Sequence, residues 1–467
     1  MLFHSVKFLY LFAVTFALYW ALPNQRARMV VLLCASIYFY ARWNVWLVGL
    51  VIGTALFDYW VAIAIENSEA PRRRRALLVA SLCVTLGLLA FFKYTNFLVA
   101  LAWPALAELG AGERAPLFRI VLPLGISFYT FETVSYVVDV YRRRLPAERN
   151  LLDYSLFLLF FPHLIAGPIV RPADFLPQLR ALQRFDWARM ELGLRLFVLG
   201  VIKKAVIADQ IARLVDPVYA APADYASGAV WAATVGYAIQ IYCDFSGYTD
   251  MALGCAHAFG LRLPQNFNAP YLSLNIAEFW RRWHISLSSW LRDYLYIPLG
   301  GNRGSRFATY RNLGITMLLG GLWHGAAWTF VAWGAYHGIL LALHRALPWP
   351  QWLERRAFAP VRAAFTFLCV CLGWVLFRAH SFADAAVVYA RLLSPADGVS
   401  LTPGVSAVFA GVVALVLAAH LVARFTDVDA LARRLPVPVA AGALALALLA
   451  AQLLAPDEGG AFIYFQF

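Results

Sequence analysis

Apolar residues run along this chain in long blocks, and short polar turns separate one block from the next. A helix needs ~20 predominantly apolar residues to cross the hydrocarbon core of a bilayer. Blocks that reach or approach this length cover residues 1–22, 29–44, 45–66, 75–92, 117–140, 151–170, 188–207, 228–260, 311–345, 360–379, 404–423 and 436–455. The pattern predicts an all-α, polytopic membrane protein with roughly 10 to 13 membrane helices.

Two segments depart from simple spans. Segment 95–110 contains Pro104 and Glu108, and its short length predicts a helix that crosses half of the membrane. The segment FFPHLIAGPIVRP (160–172) is interrupted by prolines and a glycine. Broken helices at membrane depth occur where the freed backbone lines a cavity or is buried in protein. His163 in this segment either lines a tunnel or makes a structural hydrogen bond.

Composition supports the membrane assignment. The 467 residues are 62% hydrophobic and 14% charged, with a mean hydropathy of +0.66, which is outside the range of soluble proteins. A net charge of +13 suits cytoplasmic loops and anionic headgroups better than nucleic acid in such a chain. Placing Arg26, Arg28 and residues 72–75 in the cytoplasm puts the N-terminus outside. No internal repeat or separate soluble domain is evident, so residues 1–467 form one predicted transmembrane domain.

The densest polar chemistry lies between residues 278 and 328, in EFWRRWHISLSSWLRDYLYIPLGGNRG and MLLGGLWHGAAW. A helix predicted over 279–295 would place Arg281, His284, Ser288 and Arg292 on one face. His324 lies in the second, apolar stretch. An ionisable side chain at membrane depth is expensive, so His324 is a candidate functional residue; the alternative is a satisfied hydrogen bond between helices.

A second polar group lies in YCDFSGYTDMALG (242–254). A Ser–His–Asp hydrolase is disfavoured because Ser246 has no G-x-S-x-G elbow. Asp244, Ser246 and Tyr248 are instead predicted to line a cavity, together with Trp283 and Trp323. Histidines, cysteines and carboxylates lack metal-ligand spacing, so no metal site is predicted. Lys203 and Lys204 are expected to reach lipid headgroups.

These motifs carry a family resemblance. RRWHISLSSWLRDYLYIPLGGNR and GLWHGA, with LGISFYTFETVSY (124–136), FFPHLIAGPIVRP, YCDFSGYTDMALG, LPQNFNAPY (263–271) and the terminal FIYFQF, resemble the membrane-bound O-acyltransferase superfamily. Within it they are most similar to the bacterial branch that acetylates alginate and related exopolysaccharides. The resemblance implies a ring of helices around a central tunnel, with re-entrant and interfacial helices.

The resemblance also implies a function. It predicts an O-acetyltransferase of the bacterial inner membrane that carries acetyl from cytoplasmic acetyl-CoA toward an exported polysaccharide, with no bound cofactor. A periplasmic acetyltransferase of the serine-hydrolase type is the expected partner. The alternatives are a non-catalytic transporter or scaffold of a secretion complex, and acylation of cellulose, peptidoglycan or teichoic acid.

Acyl transfer to a hydroxyl needs a base for the hydroxyl proton. Histidine has the side-chain pKa nearest neutral pH, and His324 is therefore the predicted base. His284 is predicted to orient the donor or to share the cavity. Arg281 and Arg282 are predicted to hold the phosphates of the donor coenzyme.

Overall fold

A computed structural model describes residues 3, 5–108, 116–426 and 437–454. The terminal FIYFQF motif lies outside these residues. Over the described residues the regular structure is helical, without a β-strand, and an isolated bridge joins Tyr225 and Val399. The predicted all-α class is confirmed.

Helices fill the N-terminal half of the chain. They are α1 (Val6–Ala21), α2 (Gln25–Ala41), α3 (Val45–Glu66), α4 (Pro71–Glu108), α5 (Ile126–Tyr141), α6 (Leu151–Leu159), α7 (Phe161–Leu164), α8 (Pro172–Arg180), α9 (Trp187–Val201), a π-helix (Ile202–Ala208), α10 (Asp209–Ala220), a 3-10 turn (Pro222–Asp224) and α11 (Ser227–Ala258).

The C-terminal half continues in the same way. It contains a 3-10 turn (Pro270–Leu272), α12 (Ile276–Arg282), α13 (Ile285–Leu291), a π-helix (Arg292–Tyr296), α14 (Arg306–His324), α15 (Trp328–Ala346), α16 (Gln351–Glu354), a 3-10 turn (Arg356–Phe358), α17 (Ala359–Arg378), α18 (Phe382–Leu393), α19 (Pro403–Phe425) and α20 (Val437–Leu454).

Four helical segments of the described chain are long and apolar enough to cross a membrane: Val45–Glu66, Pro71–Glu108, Arg356–Arg378 and Pro403–Phe425. The larger number of membrane helices and the ring around a tunnel stay predictions. Segment 95–110 is not a separate short helix, because α4 runs unbroken from Pro71 to Glu108 and includes Pro104; its crossing of half of the membrane stays a prediction. Positions 109 and 110 lie outside the described residues.

The chain divides into two compact units. The first contains residues 1–194 and 252–264, and the second contains residues 195–251 and 265–467. Each has its own buried interior, and the single domain expected over the whole chain stays a prediction.

In the first unit, the broken segment 160–172 is buried in protein, which is one of the two settings expected for it. Phe161 donates its backbone N–H to Ser36 Oγ at 3.0 Å, and Val170 donates its own to Glu132 Oε1 at 2.9 Å. His163 Nδ1 lies 3.2 Å from the same Glu132 oxygen, with both side chains buried. Side chains from neighbouring helices therefore satisfy backbone groups that the break releases.

In the second unit, α14 and α15 form a tight antiparallel pair instead of the single apolar block expected over 311–345. A side-chain carbon added to Gly321 would lie 2.3 Å from the carbonyl oxygen of Phe330, and one added to Gly334 would lie 2.3 Å from that of Met317. Only glycine permits backbones to approach this closely. The close crossing fixes the turn after α14, where His324 is the last helical residue.

A second glycine crossing explains why the headgroup assignment of Lys203 and Lys204 is wrong. Gly200 and Gly247 meet so closely that a side-chain carbon on Gly200 would lie 2.4 Å from the Gly247 carbonyl oxygen. The π-helix then turns the two lysines inward. Lys203 Nζ lies 2.6 Å from Asp250 Oδ2, and Lys204 Nζ lies 2.6 Å from an Asp244 carboxylate oxygen and 2.8 Å from one of Asp209. Charged side chains inside a protein or membrane are normally paired in this way.

Candidate active site

The helix expected over 279–295 is interrupted at the first histidine. α12 ends at Arg282, α13 begins at Ile285, and His284 stands between them with φ 42° and ψ 55°. The three-and-four spacing that would align His284 with Arg281 and Ser288 therefore does not apply. This prediction is wrong because backbone contacts outside the helix override the local helical pattern.

Those contacts come from the non-helical segment 266–268. Asn268 donates its backbone N–H to the Arg282 carbonyl oxygen at 3.0 Å, and Ile285 donates its own to the Asn266 carbonyl oxygen at 3.0 Å. The two hydrogen bonds bracket His284 and hold the chain out of the helix at that point.

The break brings the two histidines together. The ring centroids of His284 and His324 lie 6.5 Å apart. Trp323 packs against both rings, 6.0 Å from His284 and 5.0 Å from His324. His284 is fully buried and His324 is 4% exposed, so bulk water does not surround either ring.

Aromatic rings enclose His324 on its other sides. Trp333 of α15 and Phe377 of α17 stand edge-on to its ring, at 5.1 Å and 5.2 Å between centroids. His284 contacts the Phe245 ring of α11 in the same way, at 4.6 Å. His284 lies between α12 and α13, which have seven residues each and are too short to span a membrane. Burial lowers the pKa of the His284 ring to about 3. The ring is therefore neutral at physiological pH.

A cavity of about 190 Å³ adjoins His324. Leucine, methionine and tryptophan side chains form most of its wall, and Ser288, Arg292 and Thr316 add polar groups. Gly320, one turn before His324 on α14, also lines it. A small apolar space that ends on a histidine suits a short acyl chain beside a base.

Of the predicted site residues, His324 lines this cavity; His284, Trp323 and the others lie in the same unit but not on it. Arg281 is exposed, and Arg282 Nε donates to Glu278 Oε1 at 2.9 Å. Asp244, Ser246 and Tyr248 are buried in α11, where Asp244 pairs with Lys204. Trp283 is buried against Trp374, with ring centroids 5.0 Å apart. Donor binding by the arginines and cavity lining by the others stay predictions.

Sequence reasoning missed three contributors. Trp333 and Phe377 pack on His324, although no motif reaches them. Asn266 lies in LPQNFNAPY, which the sequence marks only as a family motif. Nothing in its spacing links it to a histidine eighteen positions later, and only the three-dimensional structure brings the two segments together.

Comparison with known proteins gives the same chemistry. A family model described as "MBOAT, membrane-bound O-acyltransferase family" matches residues 141–377, a range that contains His284 and His324. The chain is 45% identical to a protein named "Probable alginate O-acetylase AlgI" of Azotobacter vinelandii, over 85% of this chain and 79% of that protein.

Two further relatives carry other names. The chain is 39% identical to the "Peptidoglycan O-acetyltransferase" of Helicobacter pylori, over 79% of this chain and 74% of that protein. It is 28% identical to the "Teichoic acid D-alanyltransferase" of Bacillus subtilis, over 71% of this chain and 86% of that protein. The three names share transfer of an acyl group and differ in the acceptor.

Proposed function

The chain belongs to the membrane-bound O-acyltransferase family, and we propose that it takes acetyl from cytoplasmic acetyl-CoA and delivers it across the inner membrane for O-acetylation of an exported, alginate-like polysaccharide. The observation that carries the proposal is the buried pair of His284 and His324, 6.5 Å apart, with a cavity of about 190 Å³ at His324. The alginate O-acetylase name of relatives at 45% and 46% identity supports the acceptor class.

The chemical step needs one base. His324 accepts the proton of the acceptor hydroxyl, and the hydroxyl oxygen attacks the carbonyl carbon of the thioester. The tetrahedral intermediate collapses with cleavage of the C–S bond, the acetyl stays on the acceptor oxygen, and the coenzyme thiolate leaves with the proton that His324 returns. The transfer needs no bound cofactor.

The cavity supports a short acyl group. Its space beside His324 would hold the acetyl methyl against apolar walls, and exclusion of water limits hydrolysis of the thioester. Arg292 lines the same cavity, whereas Arg281 and Arg282 do not. Arg292 is therefore a cation at the cavity that holds the reacting carbonyl, where it can stabilise the negative charge that develops on the carbonyl oxygen. The donor phosphates lie farther away, because the pantetheine arm of acetyl-CoA separates them from the thioester.

The cytoplasmic donor and the exported acceptor require acetyl to change sides. We propose that a periplasmic acetyltransferase of the serine-hydrolase type receives the acetyl group and completes the transfer. Reconstitution of the purified chain in vesicles, with radiolabelled acetyl-CoA outside and the partner inside, tests this arrangement. Label on the enclosed partner supports it. A non-catalytic role would give a different result. The partner would then stay unlabelled with the wild-type chain and with His324→Ala, and the two chains would support transport or scaffolding equally.

Peptidoglycan is the second candidate acceptor, because the chain is 39% identical to the peptidoglycan O-acetyltransferase named above. Deletion of the gene separates the two candidates. Loss of ester-linked acetyl from secreted polysaccharide supports the first, and loss from isolated cell-wall sacculi supports the second.

A further inference from the structure

His284 occupies a backbone conformation that costs energy. Its φ of 42° places it in the left-handed region, which is unfavourable for a residue other than glycine because Cβ comes too close to the backbone. A strained residue persists only where its surroundings determine it strongly. Since the His284 ring also lies next to that of His324, the contacts that hold His284 also determine the geometry of the candidate active site.

The same position leaves a helix without its usual cap. His284 is the N-cap of α13, and its side chain makes no capping hydrogen bond there. Serine, threonine, aspartate or asparagine normally fills this position, because a side-chain oxygen accepts an N–H of the first turn. A histidine cannot do so while its ring is turned toward a neighbouring helix.

Asn266 supplies the missing acceptor from another segment. Its Oδ1 accepts the backbone N–H of Ser286 at 3.2 Å and the Ser286 hydroxyl at 2.6 Å. Its own carbonyl oxygen accepts the N–H of Ile285 at 3.0 Å. The Asn266 side chain is 1% exposed, so water does not compete for these bonds. Asn266 thus accepts the first two N–H groups of α13 and fixes the path of the chain as it leaves His284.

We propose that Asn266 is the positioning residue for His284: its side chain caps α13 in place of the histidine and thereby leaves the His284 ring directed at His324. Asn266 does not touch the reacting groups. It acts through the backbone of residues 284–286, and its catalytic consequence rests on the proposed acetyl transfer.

The test compares Asn266→Ala with Asn266→Asp, which keeps the Oδ1 acceptor. Displacement of a catalytic group by about 1 Å can cost ~100-fold in rate. We expect Asn266→Ala to lower kcat by about that factor with little change in KM for acetyl-CoA, and Asn266→Asp to recover most of the loss. If Asn266→Ala fails to accumulate, Ser286→Ala, which removes one of the two donors, should lower kcat by a smaller factor.

A second readout does not depend on the proposed function. Diethyl pyrocarbonate modifies accessible histidines, and mass spectrometry of the treated full chain reports each site. His284 and His337 are both 0% exposed, which makes His337 an internal control. We expect modification of His284 to rise several-fold in Asn266→Ala and to stay low in Asn266→Asp, with His337 unchanged in both.

These readouts separate two kinds of failure. A rise at His284 alone, in a chain without acetyl transfer, supports the positioning role and counts against the proposed function. An equal rise at His284 and His337 means general loosening and overturns the proposal. Unchanged labelling together with unchanged kcat in Asn266→Ala overturns it as well.

Discussion

The rings of His284 and His324 lie 6.5 Å apart between centroids, although the two residues are forty positions apart in the chain. Reacting atoms in a productive complex approach to roughly 3–3.5 Å. His324 lines the cavity of about 190 Å³ and His284 does not, so a carbonyl carbon held in the cavity can come within that distance of His324, which acts as the base, while His284 is the ring neighbour of that base.

Replacing His324 by alanine removes the base. General-base catalysis contributes typically ~100- to 10,000-fold, so we expect a loss of that size in acetyl transfer, with normal insertion into the membrane. Ester-linked acetyl on secreted polymer and the amount of protein in isolated membranes measure the two effects.

His344→Ala is the matched control for this change. His344 lies twenty positions further along and is partly exposed, and it does not line the described cavity beside His324. We expect near-normal acetylation. Equal activity of His324→Ala and His344→Ala would remove the catalytic assignment of His324.

His284 requires two substitutions, because ring and backbone make separate demands. Asparagine tolerates the left-handed conformation better than alanine. We expect both His284→Asn and His284→Ala to lose acetyl transfer, but the asparagine variant to keep a higher unfolding temperature in detergent. Retained transfer in His284→Asn would mean that the position matters for its backbone alone.

The membrane class and the two histidine motifs could be predicted from the sequence, because apolar block length and rare buried histidines are local signals. The helix around His284 could not. The local pattern of residues 279–295 favours a helix, and the interruption depends on backbone hydrogen bonds from 266–268, which no periodicity reveals.

The lysines illustrate the same limit. A lysine in an apolar segment predicts a side chain that extends to the lipid headgroups. Only the close Gly200–Gly247 crossing, seen in the structure, explains why Lys204 turns inward. Conversely, the break in the 160–172 segment was predictable, since proline and glycine act on their own backbone. Local chemistry is visible in a sequence, and partners distant in sequence are not.

Lys204 holds two carboxylates, those of Asp209 and Asp244. Removing one partner of a buried ion pair typically costs about 3–5 kcal/mol. We expect Lys204→Met to lower the unfolding temperature strongly, and addition of Asp244→Asn to recover part of the loss, because one uncompensated charge is then removed. The exposed Lys7→Met is the control. Additive losses in the double variant would argue against the pairing.

Arg292 and Arg281 separate charge stabilisation at the cavity from binding of the donor phosphates. Arg292 lines the cavity beside His324, and Arg281 is exposed elsewhere in the unit. Because the pantetheine arm separates the phosphates of acetyl-CoA from its thioester, we expect Arg292→Gln to lower kcat for acetyl transfer and Arg281→Gln to raise KM for acetyl-CoA. Salt should weaken donor binding less in the Arg281 variant than in the wild type. An unchanged KM and salt response in Arg281→Gln would place the donor phosphates elsewhere.

Leu341 tests whether the cavity holds the acyl chain. Its side chain lines the cavity from α15, so Leu341→Ala enlarges the space beside His324. Each methylene in an apolar pocket is worth about 1–3 kcal/mol of discrimination. We expect the variant to use butyryl-CoA at a rate closer to its acetyl-CoA rate than the wild type does, because the added space accepts the longer chain.

The neighbouring Leu343→Ala provides the comparison. Leu343 lies two positions away on the same helix, is 48% exposed and does not line the described cavity. It should leave the butyryl-to-acetyl ratio of kcat/KM unchanged. Gly320→Ala narrows the cavity, since an added side-chain carbon there would lie 3.3 Å from Leu291 Cδ1. This variant should therefore lower the butyryl-to-acetyl ratio of kcat/KM. If all three variants share the wild-type ratio, the acyl group binds elsewhere and the cavity has another role.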